Sequence, residues 1–168
     1  MSLLKILNYP DPRLNKIASK VMVVDKQIKV FINNLSDTMY DAKGIGLAAT
    51  QVDFHKKIIV VDVSEDKNSL VTLINPVLIE SSGTQDTEEG CLSVPDIYEK
   101  IERFNSIKVK ALDENGKEFE IKAEGLLAVC IQHEMDHLEG KIFVEYLSLL
   151  KRDRIKRKMI KKNKKTYD

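Results

Sequence analysis

Two of the chain's three histidines, His133 and His137, stand four residues apart in "QHEMDHLEGK" (132–141), with Glu134 directly after the first. On an α-helix, positions i and i+4 share a face, so both imidazoles can address one cation. Glu134 then lies one residue round, beside that cation, where it can take a proton from an attacking water. The same residues would also serve as the solvated face of an ordinary helix, and a third ligand separates the two readings. No His follows His137, Glu139 and Glu145 are too close to it to come from a separate helix, and beyond them only Asp153 and Asp168 are acidic. The downstream His or Glu that completes a zinc protease site is therefore missing. Upstream stand His55, in the Lys-rich "DFHKK", which reads as a surface residue, and Cys91, in "TEEGCLSVP". Cys91 is either a buried structural thiol or the missing ligand.

These residues need elements to position them. Ile28, Phe31, Ile32, Leu35 and Met39 recur at helical spacing and predict an amphipathic helix over 27–42. The Val- and Ile-rich runs 57–63, 70–79 and 106–112 predict strands, with Pro76 marking a bend or an edge. Asn115-Gly116 predicts a tight hairpin between 106–112 and 117–123. In "EGLLAVCIQHEMDHLEG", Leu126, Leu127, Cys130 and Ile131 should lie on one side of a helix that Gly140 ends. The expected fold class is α+β, with mostly antiparallel sheets packed around the helix that carries His133 and His137, and a C-terminal basic helix.

The 168 residues, 43% apolar and 32% charged, suit one soluble domain, and no apolar run approaches the ~20 residues of a membrane span. The N-terminal Leu/Ile cluster stops at Asn8, short of a signal-peptide core, which predicts a cytoplasmic location and reduced cysteines. Net charge is segregated. Residues 151–168 hold ten Lys/Arg and two Asp, leaving 17 basic and 24 acidic residues in 1–150. The expected organisation is a single catalytic domain over 1–150 and a basic helix or tail over 151–168, with Ile155, Met159 and Ile160 on the apolar side of that helix.

Three segments in order, "GIGLAATQ" (44–51), "EEGCLS" (88–93) and "QHEMDHLEGK", resemble the signature motifs of peptide deformylases, and the likeness runs from "LNYPDPRL" to "EYLSLLKRDRI". A phosphate-loop reading of "GIGLAATQ" fails, because no third glycine and no Lys-Ser/Thr pair follow. The resemblance implies a metal-dependent hydrolase that removes the N-formyl group from the formyl-methionine of nascent polypeptides and releases formate, in the bacterial cytoplasm. It implies Cys91, His133 and His137 as metal ligands with a fourth position open, and Glu134 as base and then acid. It assigns Gln51 and the Leu92 backbone N–H to the developing oxyanion. It places Ile45, Gly46, Glu89, Leu126, Val129 and Cys130 in the substrate pocket, with His133 bordering it, and pairs Asp136 with Arg103. The implied cofactor is one divalent ion, Fe2+, with Zn2+, Ni2+ or Co2+ compatible with the same donors. Thr87 and Tyr98 depart from the residues that some members carry at these positions, which leaves preferences beyond methionine open. Two other readings stand beside this one: a metalloprotease on the same helix, and an RNA-binding module with a structural metal. The basic tail suits ribosomal RNA as a partner; no membrane partner is expected.

Overall fold

In the computed structural model, which describes residues 2–167, helix α1 (Lys26–Asp41) begins where the Asp25 carboxylate accepts the Ile28 N–H, and it buries Ile32, Leu35 and Met39. Seven strands are formed by the described residues: β1 (Gly46–Ala48), β2 (Ile58–Val61), β3 (Val71–Ser82), β4 (Gln85–Cys91), β5 (Val94–Arg103), β6 (Ser106–Leu112) and β7 (Glu118–Glu124). Helices α2 (Gly125–Leu138) and α3 (Leu149–Tyr167) complete the chain. The fold is α+β. Five strands form one sheet in the order β1-β2-β3-β6-β7, and β4 and β5 form a separate two-stranded ribbon; every pairing within both is antiparallel.

Strand β2 explains why "IIVV" does not alternate. All four residues are buried, with Ile59 and Val61 facing Cys130, Ile131 and Leu138 of α2, and Ile58 and Val60 facing Ile32, Leu35 and Met39 of α1. Both faces of the sheet are covered there, so both need apolar side chains. At Pro76 the β3–β6 register shifts between Ile74 and Val77. The neighbouring Asn75 sits at φ 54, and its amide accepts from the Val21 N–H and donates to the Val21 carbonyl. The expected bend is thus a bulge that also fastens the N-terminal segment.

Three elements depart from the sequence reading. The β4–β5 ribbon was not expected, because Gln85–Cys91 is polar and exposes alternate residues, leaving no apolar run to detect. Leu126 leaves the buried side of α2 and is 50% exposed, while Leu127 packs against the core with Cys130 and Ile131. On α3, Ile155 and Met159 are buried in a cluster with Leu7, Leu14, Val94, Ile101, Phe143 and Val144, but Ile160, about 100° further round, is exposed. The basic segment therefore docks through one apolar stripe rather than lying free.

Candidate metal centre

Helix α2 starts after Glu124 and stops at Gly140, whose φ of 75° suits a residue without a Cβ, and within it His133 and His137 do fall on one face. Cys91 reaches them from the end of β4, where the register slips between Glu89 and Cys91 and turns the chain toward α2. Cys91 Sγ lies 3.3 Å from His137 Nε2, and His137 Nε2 lies 3.3 Å from His133 Nε2. All three donor atoms are within 4.8 Å of one another. Tetrahedral coordination with metal–nitrogen bonds of about 2.0–2.1 Å and a metal–sulfur bond of about 2.3 Å gives donor–donor edges of roughly 3.3–3.6 Å. The two measured edges have the length that a divalent ion requires, and the donor types suit one. Among the described residues this is the one His/Cys/Asp/Glu group so arranged. His55 is elsewhere, with Nε2 3.0 Å from Asp53 Oδ1, and Cys130 is not among the converging donors.

The tautomer of His133 is fixed from behind. Its Nδ1 lies 2.9 Å from Glu89 Oε1, so Nδ1–H donates to the carboxylate and Nε2 presents its lone pair forward. Glu89 is itself held by Arg103, whose Nε and Nη2 donate to its two oxygens at 2.7 and 2.9 Å, and Arg103 Nη1 donates to Asp136 Oδ2 at 2.6 Å. The Arg103–Asp136 pair implied by the resemblance is present. Glu89, expected in the substrate pocket, does border that cavity, but its carboxylate is committed to His133 and Arg103 and is 5% exposed. Phe143 supports the other side of the imidazole, with ring centroids 6.0 Å apart. His137 hangs from Thr50, whose hydroxyl donates to the His137 carbonyl at 3.1 Å.

Glu134 is 4% exposed and its Oε1 has no hydrogen-bond partner among the described residues. Burial pushes its carboxyl up to about 7, with the nearby Glu89 adding to the effect against the pull of His133 and Arg103. A buried, unpartnered carboxylate oxygen beside three converging donors is an atom placed to receive a proton. His137, by contrast, is held well below the ordinary imidazole range, chiefly by burial, so it stays neutral and able to ligate.

Gln51, 1% exposed, sits in the 3-10 turn Ala49–Val52 after β1. Its Oε1 accepts the Ala48 N–H at 2.9 Å, which orients the amide, so Nε2 points to Ser93 Oγ at 3.0 Å and Cys91 Sγ at 3.5 Å. Leu92 follows Cys91 in the β4–β5 turn, and its side chain fills the space that a Cβ on Gly44 would need. A Cβ on Gly46 would meet Glu134 Oε2 at 2.5 Å and Cys130 Sγ at 2.7 Å. Gly44 thus makes room for Leu92, and Gly46 lets β1 lie directly against Glu134 and Cys130. In front of the centre opens a cavity of about 540 Å3, bordered by Ile45, Gly46, Cys91, Leu126, Val129, Cys130, His133 and Glu134 together with both strands of the ribbon. All six expected pocket residues line it. Cys130 is a neutral thiol, its pKa driven well up by burial and by Glu134, and it donates weakly to the Ile45 carbonyl at 3.4 Å.

Ser93, Phe143 and Tyr146 were missed by the sequence reading. Ser93 lies inside "EEGCLS" and was legible as part of that motif; Phe143 and Tyr146 carry no local signal and are identified by contact alone.

Known proteins resemble this chain in both sequence and fold. A model of the polypeptide deformylase family matches residues 3–153. A protein named peptide deformylase 1 from Burkholderia multivorans is 60% identical over 162 residues, covering 96% of this chain and 90% of its own. A peptide deformylase from Polynucleobacter necessarius is 57% identical, covering 98% and 96%. Among solved structures, a peptide deformylase from Legionella pneumophila superposes with a TM-score of 0.94 at 46% identity, covering 99% and 98%. One from Ehrlichia chaffeensis in complex with actinonin gives 0.94 at 42%, covering 96% and 98%.

Proposed function

The chain belongs to the polypeptide deformylase family, hydrolases that remove the formyl group from the N-terminal formyl-methionine of new polypeptides, and we propose that it does so with Glu134 beside a divalent ion held by Cys91, His133 and His137. The observation that carries this reading is the convergence of three donors, two pairs of them 3.3 Å apart and all within 4.8 Å, near a buried carboxylate oxygen without a partner. Two of the three donors, Cys91 and His133, border a substrate-sized cavity together with Glu134, which suits a catalytic rather than a structural ion. When bound, the ion would polarise the formyl carbonyl and acidify water.

The remaining work falls to side chains. Ile45, Leu126, Val129 and Cys130 take the methionine side chain into the cavity, and Gly46 lets the substrate backbone approach β1. Glu134 accepts a proton from the water that attacks the formyl carbon and then delivers it to the departing amine, so one carboxylate serves as base and then as acid. Gln51 Nε2 and the Leu92 N–H donate to the oxygen as charge builds on it. A thiolate donor softens the site and suits ferrous iron, with zinc, nickel or cobalt fitting the same atoms. Cys91 is only partly buried, so the reduced protein should lose activity in air.

The test is formate release from a formyl-methionyl dipeptide by protein purified without oxygen and loaded with ferrous iron, against Glu134→Gln. Collapse of turnover in the variant with full metal content supports the reading. Formate release that the variant retains would remove Glu134 from the reaction.

No helix among the described residues is long and apolar enough to cross a membrane, and a cytoplasmic site of action beside the ribosome fits the substrate. Helix α3 supports that placement, because its Ile155 and Met159 face inward and its Lys and Arg residues line the outside.

A further inference from the structure

The cavity of about 330 Å3 on the far side of Arg103 belongs to none of the chemistry above, yet it ends on Tyr146 and Asp136. Tyr146 closes the 3-10 turn Phe143–Tyr146 and is 52% exposed. Its hydroxyl donates to Asp136 Oδ2 at 2.8 Å, the same oxygen that accepts from Arg103 Nη1. Its ring also lies under the guanidinium, with Arg103 Cζ 5.1 Å from the ring centroid. Arg103 is 6% exposed and is the cation that holds Glu89, and Glu89 holds the Nδ1–H of His133.

From these contacts we infer that Tyr146 is a positioning residue for the metal ligand His133, acting through Asp136, Arg103 and Glu89. The inference rests on the metal reading proposed above.

The physical need for such a residue lies in the competition around Arg103. The cavity beside it opens to solvent, with the exposed Glu102 on its border, so water competes for the guanidinium from that side. A guanidinium that turned outward would leave Glu89 buried with one partner, and the Glu89–His133 hydrogen bond would lose its fixed geometry. Asp136 alone is a weak anchor, because its side chain is 22% exposed and reachable by water. The Tyr146 hydroxyl pins the Asp136 oxygen, and the ring covers the guanidinium face. The same turn carries Phe143, which packs on the His133 ring, so one short element supports the ligand twice.

The test uses the full chain loaded with cobalt(II), whose visible spectrum reports ligand geometry. Tyr146→Phe keeps the ring and removes the hydroxyl; Tyr146→Ala removes both. Supporting contacts of metal ligands cost about 10–100-fold in affinity when lost, so for this more distant one we expect cobalt release to dipicolinate to quicken about 3–10-fold in Tyr146→Phe. The ligand-field bands should shift, and kcat on the formyl dipeptide should fall with KM unchanged. A merely structural role would lower thermal stability without moving the cobalt spectrum or splitting kcat from KM. If Tyr146→Phe matches wild type in cobalt release and spectrum, the inference is wrong, whether or not Tyr146→Ala folds. Wild-type protein that holds no cobalt would overturn the metal reading and this inference together.

Discussion

Gln51 owes its orientation to a single backbone contact, the Ala48 N–H on its Oε1, and its other end faces Ser93 and Cys91. If that amide stabilises the oxyanion, Gln51→Ala should lower kcat by about 10²–10³-fold, the usual loss for one such donor, with peptide KM little changed. Steady-state formate release decides it. A loss confined to KM would assign Gln51 to substrate binding instead. Gly46 tests the opposite kind of constraint. A methyl group there would meet Glu134 Oε2 and Cys130 Sγ at 2.5 and 2.7 Å, so Gly46→Ala must push Glu134 aside. Misplacing a reacting group by about 1 Å costs on the order of 10²-fold, so the variant should keep its metal and lose most of its turnover. Metal content measured alongside formate release separates displacement of Glu134 from damage to the ligands.

The elements that present these residues are held by polar fasteners as much as by apolar packing. Asp62, fully buried just beyond β2, accepts from the Ser64 hydroxyl and N–H, the Ser69 N–H and the Tyr40 hydroxyl on α1. Burial raises its pKa, but these hydrogen bonds outweigh burial and bring it down to about 2 from 3.8. A carboxylate with a depressed folded pKa contributes stability that is present above its ordinary value and lost as pH falls through the folded one. Wild type should therefore lose stability between about pH 4 and pH 2, and Asp62→Asn should be less stable near pH 7 but flatter across that window. Denaturant titrations at both pH values measure the difference, and parallel slopes would show that Asp62 is not the group responsible. The β4–β5 ribbon has a different support. Its inner residues Val94 and Ile101 enter the cluster with Ile155 and Met159, and Lys151 and Lys162 of α3 pair with Glu99 and Asp96 on its rim. The strands that carry Cys91 and line the substrate cavity thus lean on the last helix.

At the scale of the whole molecule, this support means that removing α3 would disturb the core as well as any docking surface. A cleaner test of ribosome binding leaves Ile155 and Met159 in place and neutralises the exposed Arg154, Lys158, Lys161 and Lys165 with glutamine. Co-sedimentation with ribosomes at low salt should fall in this variant while turnover of a formyl dipeptide is unchanged. Each lost phosphate contact should flatten the slope of log affinity against log salt by about 0.7–0.9. An unchanged slope would rule out α3 as the RNA-facing surface.

Helix α1, the strand over 106–112, the Asn115-Gly116 hairpin and the helix bearing His133 were legible because periodicity, turn residues and an i, i+4 pair are local properties of a chain. The residues themselves also exposed the missing downstream ligand and narrowed the choice to His55 and Cys91. Spacing alone left Cys91 open as a structural thiol, and the motif resemblance named it; the physical reason lies in the fold, because Cys91 stands 46 residues from His137 and reaches it through a register slip at the end of β4. The same holds for the ribbon, whose polar strands give no apolar pattern, and for Tyr146 and Arg103, 43 positions apart in sequence and stacked in space. Sequence determined the reactive groups and the helix that carries two of the ligands; the tertiary structure supplied the strand that carries Cys91 and decided which groups meet, since convergence depends on how sheet, ribbon and helix pack, and no spacing along the chain encodes that.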